Sequence, residues 1–122
     1  MTGQAPSPAV RDTGEALLLE GAEVAESAAV GGGSVIGRRA VVAPDAVVEG
    51  SVVFDDAVIG TGAQIRGSII GSRAQIGSGC NLDGVVVGDG AVIGARNELH
   101  EGARVWPGIE LPDLAIRHSS DT

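Results

Sequence analysis

A large aliphatic residue recurs every five or six positions along most of this chain. Seventeen positions belong to the series, and 13 of the 16 steps between them are six residues long, while the other three are five. The residue two positions before each is Ala or Ser in 13 of the 17 cases. The series is Leu18, Val24, Val30, Ile36, Val42, Val48, Val53, Ile59, Ile65, Ile70, Ile76, Leu82, Val87, Ile93, Leu99, Val105 and Leu111. Because residues i and i+2 of an extended strand point to the same face, each repeat predicts one small and one large inward side chain.

The three short steps are themselves periodic, since they recur every 17 residues. They run from Val48 to Val53, from Ile65 to Ile70 and from Leu82 to Val87. If three repeats make one triangular coil, the shortening falls on the same edge each time. The pattern predicts an all-β fold, a single-stranded left-handed parallel β-helix of about five triangular coils of 17–18 residues with a partial coil from Val105. Its core stack is expected to contain Ile36, Val53, Ile59, Ile70, Ile76, Val87 and Ile93.

The composition agrees with a regular repeat. Hydrophobic residues make up 43% of the chain, but aromatic residues only 2%, so small aliphatic side chains must build the core. No segment holds the i, i+3, i+4, i+7 pattern of an amphipathic helix, and four Thr are too few for the ranked threonine face of an ice-binding solenoid. Gly follows the large residue directly in seven of the 17 repeats. We expect these glycines to provide backbone conformations that a Cβ would forbid.

The charge excludes several classes of partner. The formal net charge is −8 and all eight basic residues are Arg, so neither nucleic acid nor an anionic membrane is expected to bind. A single cysteine, Cys80, rules out an intramolecular disulfide and a Cys-rich zinc site. The sequence has no signal-peptide pattern and no apolar run near the roughly 20 residues of a membrane helix. The cytoplasm is therefore the expected location.

The two ends of the chain depart from the repeat. Residues 1–15 contain Pro6 and Pro8 without any hexad and are expected to form a flexible linker. Residues 16–111 form the β-helix, and residues 112–122 a C-terminal cap or tail. We expect the cap to include Trp106, Pro107 and Pro112, with Trp106 covering the open core and the prolines stopping further strand pairing.

The C-terminal residues carry a family resemblance. The segment ELHEGARVWPGIELPDLAIRHSSD, residues 98–121, resembles the closing segment of actinobacterial sugar nucleotidyltransferases of the mannose-1-phosphate guanylyltransferase (GDP-mannose pyrophosphorylase) type. The hexads GSVVFDDAVIGTGAQIRGSIIGSRAQIGSG, residues 50–79, are similar to the β-helix that precedes that ending, and APSPAV, residues 5–10, resembles the linker after the catalytic domain. The resemblance covers nearly the whole chain. It implies the C-terminal domain of an enzyme that makes nucleotide sugars from a sugar 1-phosphate and a nucleoside triphosphate.

One departure from the family is large. Its catalytic domain opens with a Gly-rich nucleotide loop of the G-G-x-G-T-R-L type, and this chain has no such loop and no Lys. A smaller departure is Leu114-Ala115, where the family more often has Gly. We therefore expect a noncatalytic assembly or regulatory domain with no cofactor and no metal, either the C-terminal domain of such an enzyme or a separate protein derived from it. A nucleotidyltransferase catalytic domain is one expected partner. A stand-alone structural rod is an alternative, against which the Pro-rich C-terminus argues.

His100 raises a second alternative. It directly follows the inward Leu99, so its side chain should point outward, where it could be the general base of a hexapeptide-repeat acyltransferase or simply face solvent. Acyltransferases of this type usually carry a loop inserted between coils, and the unbroken five- or six-residue spacing leaves no room for one. His100 and His118 are too few for the three-His zinc site of a γ-class carbonic anhydrase.

Other polar residues occupy defined register positions. Asn97 takes an inward place and is expected to bond to the backbone of a neighbouring coil. Cys80, in the same register, is expected to behave as a small core hydrophobe. Four arginines should be exposed outside, either gathered as an anion site for a phosphate-bearing effector or paired with the 16 acidic residues. They are Arg66, Arg73, Arg96 and Arg104.

The first coil predicts self-association. It begins with Leu17, Leu18 and Leu19 in a row, and only Leu18 lies at the inward large position. At least one neighbour must then face outward beside an open strand edge. We expect a homodimer joined through the N-terminal coils and one face of the prism.

Overall fold

Seventeen short strands, all paired in parallel, make up the fold of the described part of the chain. The computed structural model describes residues 16–116, so the expected linker over residues 1–15 lies outside the described residues. The strands are β1 (Ala16–Leu18), β2 (Glu23–Val24), β3 (Ala29–Gly31), β4 (Ser34–Ile36), β5 (Val41–Val42), β6 (Val47–Glu49), β7 (Val52–Val53), β8 (Val58–Ile59), β9 (Gln64–Arg66), β10 (Ile69–Ile70), β11 (Gln75–Ile76), β12 (Asn81–Asp83), β13 (Val86–Val87), β14 (Val92–Ile93), β15 (Glu98–Leu99), β16 (Arg104–Val105) and β17 (Glu110–Leu111). Within residues 16–116 no helix is long and apolar enough to cross a membrane.

Each strand pairs with the strand three further along the chain, which winds the backbone into a triangular solenoid. The first sheet has the order β1-β4-β7-β10-β13-β16, the second β2-β5-β8-β11-β14-β17 and the third β3-β6-β9-β12-β15. The all-β parallel solenoid predicted from the sequence is confirmed. The solenoid has about six turns rather than five, because the last repeats add β16 and β17 to two of the three sheets.

The large aliphatic residues point into the prism. Those of the expected core stack are at most 2% exposed. The stack continues down to Val30 and up to Val105, which are 5% and 8% exposed. Leu18 and Val24, in the first turn, are only half-buried, because no described coil lies beneath them.

The glycines that follow the large residues serve close packing between coils. Gly37, Gly77 and Gly94 do not have positive φ, so the expected special backbone conformation is wrong for them. A Cβ added to Gly77 would instead lie 2.6 Å from the backbone nitrogen of Ala95 in the next coil. Successive coils are only about 4.8 Å apart, which leaves no room there for a methyl group. Positive φ occurs at other corner positions, such as Gly62 and Arg96.

A ladder of buried serines compensates for the three short steps. In a six-residue step the amide of the small residue donates to a carbonyl of its own turn, as Ala63 does to Gly60 at 3.2 Å. In the five-residue steps that amide donates instead to a serine Oγ in the previous coil, each time at 3.0 Å. The pairs are Ser51 to Ser34, Ser68 to Ser51 and Val85 to Ser68. Each hydroxyl therefore accepts a bond that the shortened turn cannot provide.

Replacing Ser68 with Ala is expected to destabilise the chain. Ser68 and Val85 are 2% and 0% exposed, so the amide of Val85 would lose its acceptor out of reach of water. An unsatisfied buried donor costs about 1–3 kcal/mol, and urea denaturation would measure the loss. Ser78→Ala, at an exposed corner, is the control and should leave the midpoint unchanged. Equal effects of the two substitutions would contradict a role for the ladder.

Candidate functional site

The histidine singled out from the sequence lies on the outer surface of the third sheet. His100 follows β15 and is half-buried, one step beyond the register pair Leu82↔Leu99, so it lies beside Asp83. Every connection between consecutive strands of the described solenoid is two or four residues long, so none of these connections forms a loop that closes over His100. Across residues 16–116 no group of three His, Cys, Asp or Glu side chains could hold a metal ion together. His118 lies outside the described residues.

The four arginines do not gather into one site. Arg66 lies on β9 of the third sheet and Arg104 on β16 of the first, while Arg73 and Arg96 occupy two different corners of the prism. Arg73, Arg96 and Arg104 are exposed, but Arg66 is half-buried. Its Nε lies 3.3 Å from Glu49 Oε1, and its Nη1 donates to Gln64 Oε1 at 2.9 Å. The Arg66 side chain is nevertheless 42% exposed, and it pairs with one acceptor in the neighbouring coil and one on its own strand.

A charge ladder that sequence reasoning missed runs along the corner after the first sheet. The Arg39 guanidinium donates two hydrogen bonds to the carboxylate of Asp56, both of 2.9 Å. These bonds lower the pKa of Asp56, and the charge of Arg73 lowers it further. The residues are 17 positions apart, the length of one short coil. That spacing is a signal from which the pair could have been found. At this corner Arg39 pairs with Asp56 on a solvated edge.

Cys80 belongs to the core. It is 1% exposed, and its thiol donates to the carbonyl of Gly94 at 3.0 Å. Burial raises the pKa of the Cys80 thiol, which disfavours the thiolate that a nucleophile or metal ligand would need.

The C-terminal end of the solenoid is held by Asn97 rather than covered by the tryptophan. Asn97 Nδ2 donates to the carbonyls of Gly94 and Pro112 at 2.9 and 3.0 Å, and its Oδ1 accepts from the amide of Ile116 at 2.7 Å. Ile116 packs against the core. Trp106 is 68% exposed, so the expectation that it covers the core is wrong. It directly follows the inward Val105, and the alternation along an extended strand turns its ring outward.

The outer surface of the first sheet carries an uninterrupted line of aliphatic side chains. Consecutive strands place them in register, one per turn over five turns. The line, here called the apolar column, consists of Leu17, Val35, Val52, Ile69 and Val86. The corresponding lines on the other two sheets are interrupted by polar residues, Gln75 on the second sheet and Gln64 and Asn81 on the third. Only its first member, Leu17, was singled out from the sequence.

Comparisons with known proteins give the family. Residues 13–120 match the family model described as the GMPPB C-terminal domain. The chain is 54% identical over 120 residues to a mannose-1-phosphate guanylyltransferase from Mycobacterium tuberculosis. The aligned region covers 98% of this chain and 33% of that protein. The chain therefore spans about a third of the length of that relative.

Among solved structures, a GDP-perosamine N-acetyl transferase from Caulobacter crescentus has a TM-score of 0.61 at 22% identity, over 78% of this chain and 49% of that one. At this identity the likeness is one of fold alone. The sequence resemblance stated above is confirmed by the family model and by the relative. The chain belongs to the GMPPB C-terminal domain family and is the C-terminal domain of a mannose-1-phosphate guanylyltransferase-type protein.

Proposed function

We propose that this chain is a noncatalytic assembly domain, which pairs with a second copy of itself and, in a longer protein, holds a nucleotidyltransferase catalytic domain. The observation that supports the proposal is the exposed apolar surface at the first turn of the solenoid. In the next turn the corresponding core side chains are buried. Leu17 is 57% exposed in the first turn. Leu18 and Val24 are half-buried, whereas their counterparts one turn later, Ile36 and Val42, are 0% and 1% exposed.

The relative supports a division of labour along the longer protein. This chain aligns with 33% of it, and all of the described part is solenoid with its C-terminal closing segment. The relative is named as a guanylyltransferase. We propose that this activity belongs to the part of the longer protein that does not align with this chain, where a sugar 1-phosphate and a nucleoside triphosphate would bind. The cytoplasm, the compartment expected from the sequence, is part of the same proposal.

Association of the chain tests this function. Light scattering coupled to size exclusion should give about twice the 12.1 kDa mass of one chain. The measurement should reach about 100 μM, far above the Kd of a typical specific interface. Replacing both Leu17 and Leu19 with Glu should return the mass to that of a monomer, with an unchanged circular dichroism spectrum, because Leu18 still fills the core position. A wild-type monomer at the highest concentration would contradict the proposal.

A further inference from the structure

We propose that the first turn of the solenoid, residues 16–31, opens from the rest of the fold as one unit and swings on a corner of three glycines. The inference goes beyond the proposed assembly function, since it concerns how this turn is held and not what binds to it. The burial of the first turn, the composition of the corner and the side-chain bonds between turns each support such a hinge.

The inward side chains change abruptly in burial between the first and the second turn. In the second turn all six are at most 1% exposed, and they are Ser34, Ile36, Ala40, Val42, Ala46 and Val48. In the first turn five of the six are only half-buried, and Val30, the last before the corner, is the buried one. Burial of apolar surface is the main stabilising contribution to a fold. Separating the first turn therefore costs less than separating an interior turn, which is packed on both sides.

The corner that joins the first turn to the second consists of Gly31, Gly32 and Gly33. Gly32 and Gly33 have positive φ, of 67° and 85°, and a Cβ added to Gly33 would meet nothing within 4 Å. The corresponding corners of the next three turns are one residue shorter and have one glycine each, at Gly50, Gly67 and Gly84. Because glycine has the largest backbone freedom of any residue, the three-glycine corner can change direction where the later corners cannot.

Side-chain hydrogen bonds tie the second turn more firmly to the third than to the first. The pairs between the second and third turns are Ser51 to Ser34, Arg38 to Asp55 and Arg39 to Asp56. Between the first and second turns the described residues have one such bond, from the Asp45 amide to Ser27 Oγ at 3.0 Å. Ala16, the register partner of Ser34, has no hydroxyl. The serine ladder therefore ends at the boundary where we place the hinge.

The other end of the solenoid is clamped. Asn97 bonds to the closing segment at Pro112 and Ile116, and Asp113 accepts from the Ala95 amide at 2.7 Å. Opening is therefore expected at the N-terminal end. Since this chain is a C-terminal domain, the preceding part of the longer protein joins the solenoid through the first turn. A hinge there would let that part change its orientation without distorting the core of the later turns, a consequence that rests on the proposed function.

Amide hydrogen exchange of the full chain, followed by NMR, measures the opening. The amides of Glu23, Val58 and Gln75 lie at equivalent positions of the second sheet, and each donates to the next turn at 2.9 Å. Bond geometry alone predicts equal protection, whereas a hinged first turn predicts exchange at least about 100-fold faster at Glu23. Opening as a unit also predicts equal rates at Glu23, Ala25 and Ala29, once intrinsic rates are corrected, because fraying from the chain end would give rates that fall along the turn.

Two engineered disulfides provide a matched test of the boundary. Glu23 and Val41 are register partners in the first and second turns, and Val58 and Gln75 are the equivalent pair two turns later. Strands in register are about 4.8 Å apart, within the range of Cα separations that disulfides span. Oxidation of the Glu23→Cys, Val41→Cys chain should slow exchange in the first turn at least about tenfold relative to its own reduced form. Oxidation of the Val58→Cys, Gln75→Cys chain should leave it unchanged.

The same measurement on the Leu17→Glu, Leu19→Glu chain separates the hinge from the proposed function, because that chain is expected to be a monomer. Fast exchange of the first turn in this chain supports the hinge, even where light scattering finds wild type monomeric and the assembly function fails. Slow exchange in both proteins overturns the hinge and leaves the assembly function in place. Graded exchange along the first turn, or equal slowing by the two disulfides, would also overturn the hinge.

Discussion

Replacing Ile76 with Asp is expected to unfold the chain. Ile76 is 2% exposed and lies in the stack between Ile59 below and Ile93 above, with which its strand is in register. A carboxylate at this position would have only aliphatic neighbours. Leaving an unpaired charge buried costs about 3–5 kcal/mol, a large part of the roughly 5–15 kcal/mol that keeps a typical domain folded. The loss of the core side chain itself adds to this.

The adjacent position gives the control for this substitution. Gln75 is exposed on the same strand, β11, and points outward. Gln75→Asp should therefore retain the circular dichroism spectrum and a melting temperature close to that of wild type, while Ile76→Asp should lose the cooperative transition. Wild-type melting in Ile76→Asp would mean that the assigned register is wrong by one residue, because a one-residue slip exchanges the two faces of a strand.

The register could be predicted because it depends on spacing alone. A side chain two residues from another lies on the same face of a strand, so the series from Leu18 to Leu111 already contains the inward line. The periodic short steps likewise locate one edge of the prism. The serine ladder could have been predicted from the same short steps. Ser51 and Ser68 occupy the small inward position within two of them.

Two features of the C-terminal end were not predicted from the sequence, and one of them depends on contacts between coils. The role of Asn97 requires the path of residues 112–116, which leaves the repeat. The alternation of side chains along a strand already predicts that Trp106, next to the inward Val105, faces outward. The prediction that Trp106 is buried was wrong because it followed from the size of the side chain and not from its position. The glycines after the large residues are a further case. Their spacing indicates that a side chain is not tolerated there, but it does not indicate whether the reason is backbone conformation or the close approach of the next coil.

Gly77→Ala distinguishes those two constraints. The added Cβ would lie 2.6 Å from Ala95 N and 2.8 Å from its Cα, and backbone cannot turn aside as a flexible side chain can. The coils would have to separate at a point where the amide of Gly77 donates to Ile93 O at 2.8 Å. Overpacking of this kind costs about 3 kcal/mol or somewhat more. For a domain of this size the melting temperature should fall by roughly 10–20 °C.

Gly62→Ala adds the same methyl group at a corner and serves as the matched control. Gly62 has φ of +71° with nothing within 4 Å of its added Cβ, so only the left-handed conformation opposes the substitution. That conformation costs about 1–2 kcal/mol. Asp45 and Arg96 already adopt it at the same corner in other turns, with φ of 65° and 58°. We therefore expect Gly62→Ala to lower the melting temperature much less than Gly77→Ala. The reverse order would show that the approach of the next coil is not the main constraint that requires glycine at position 77.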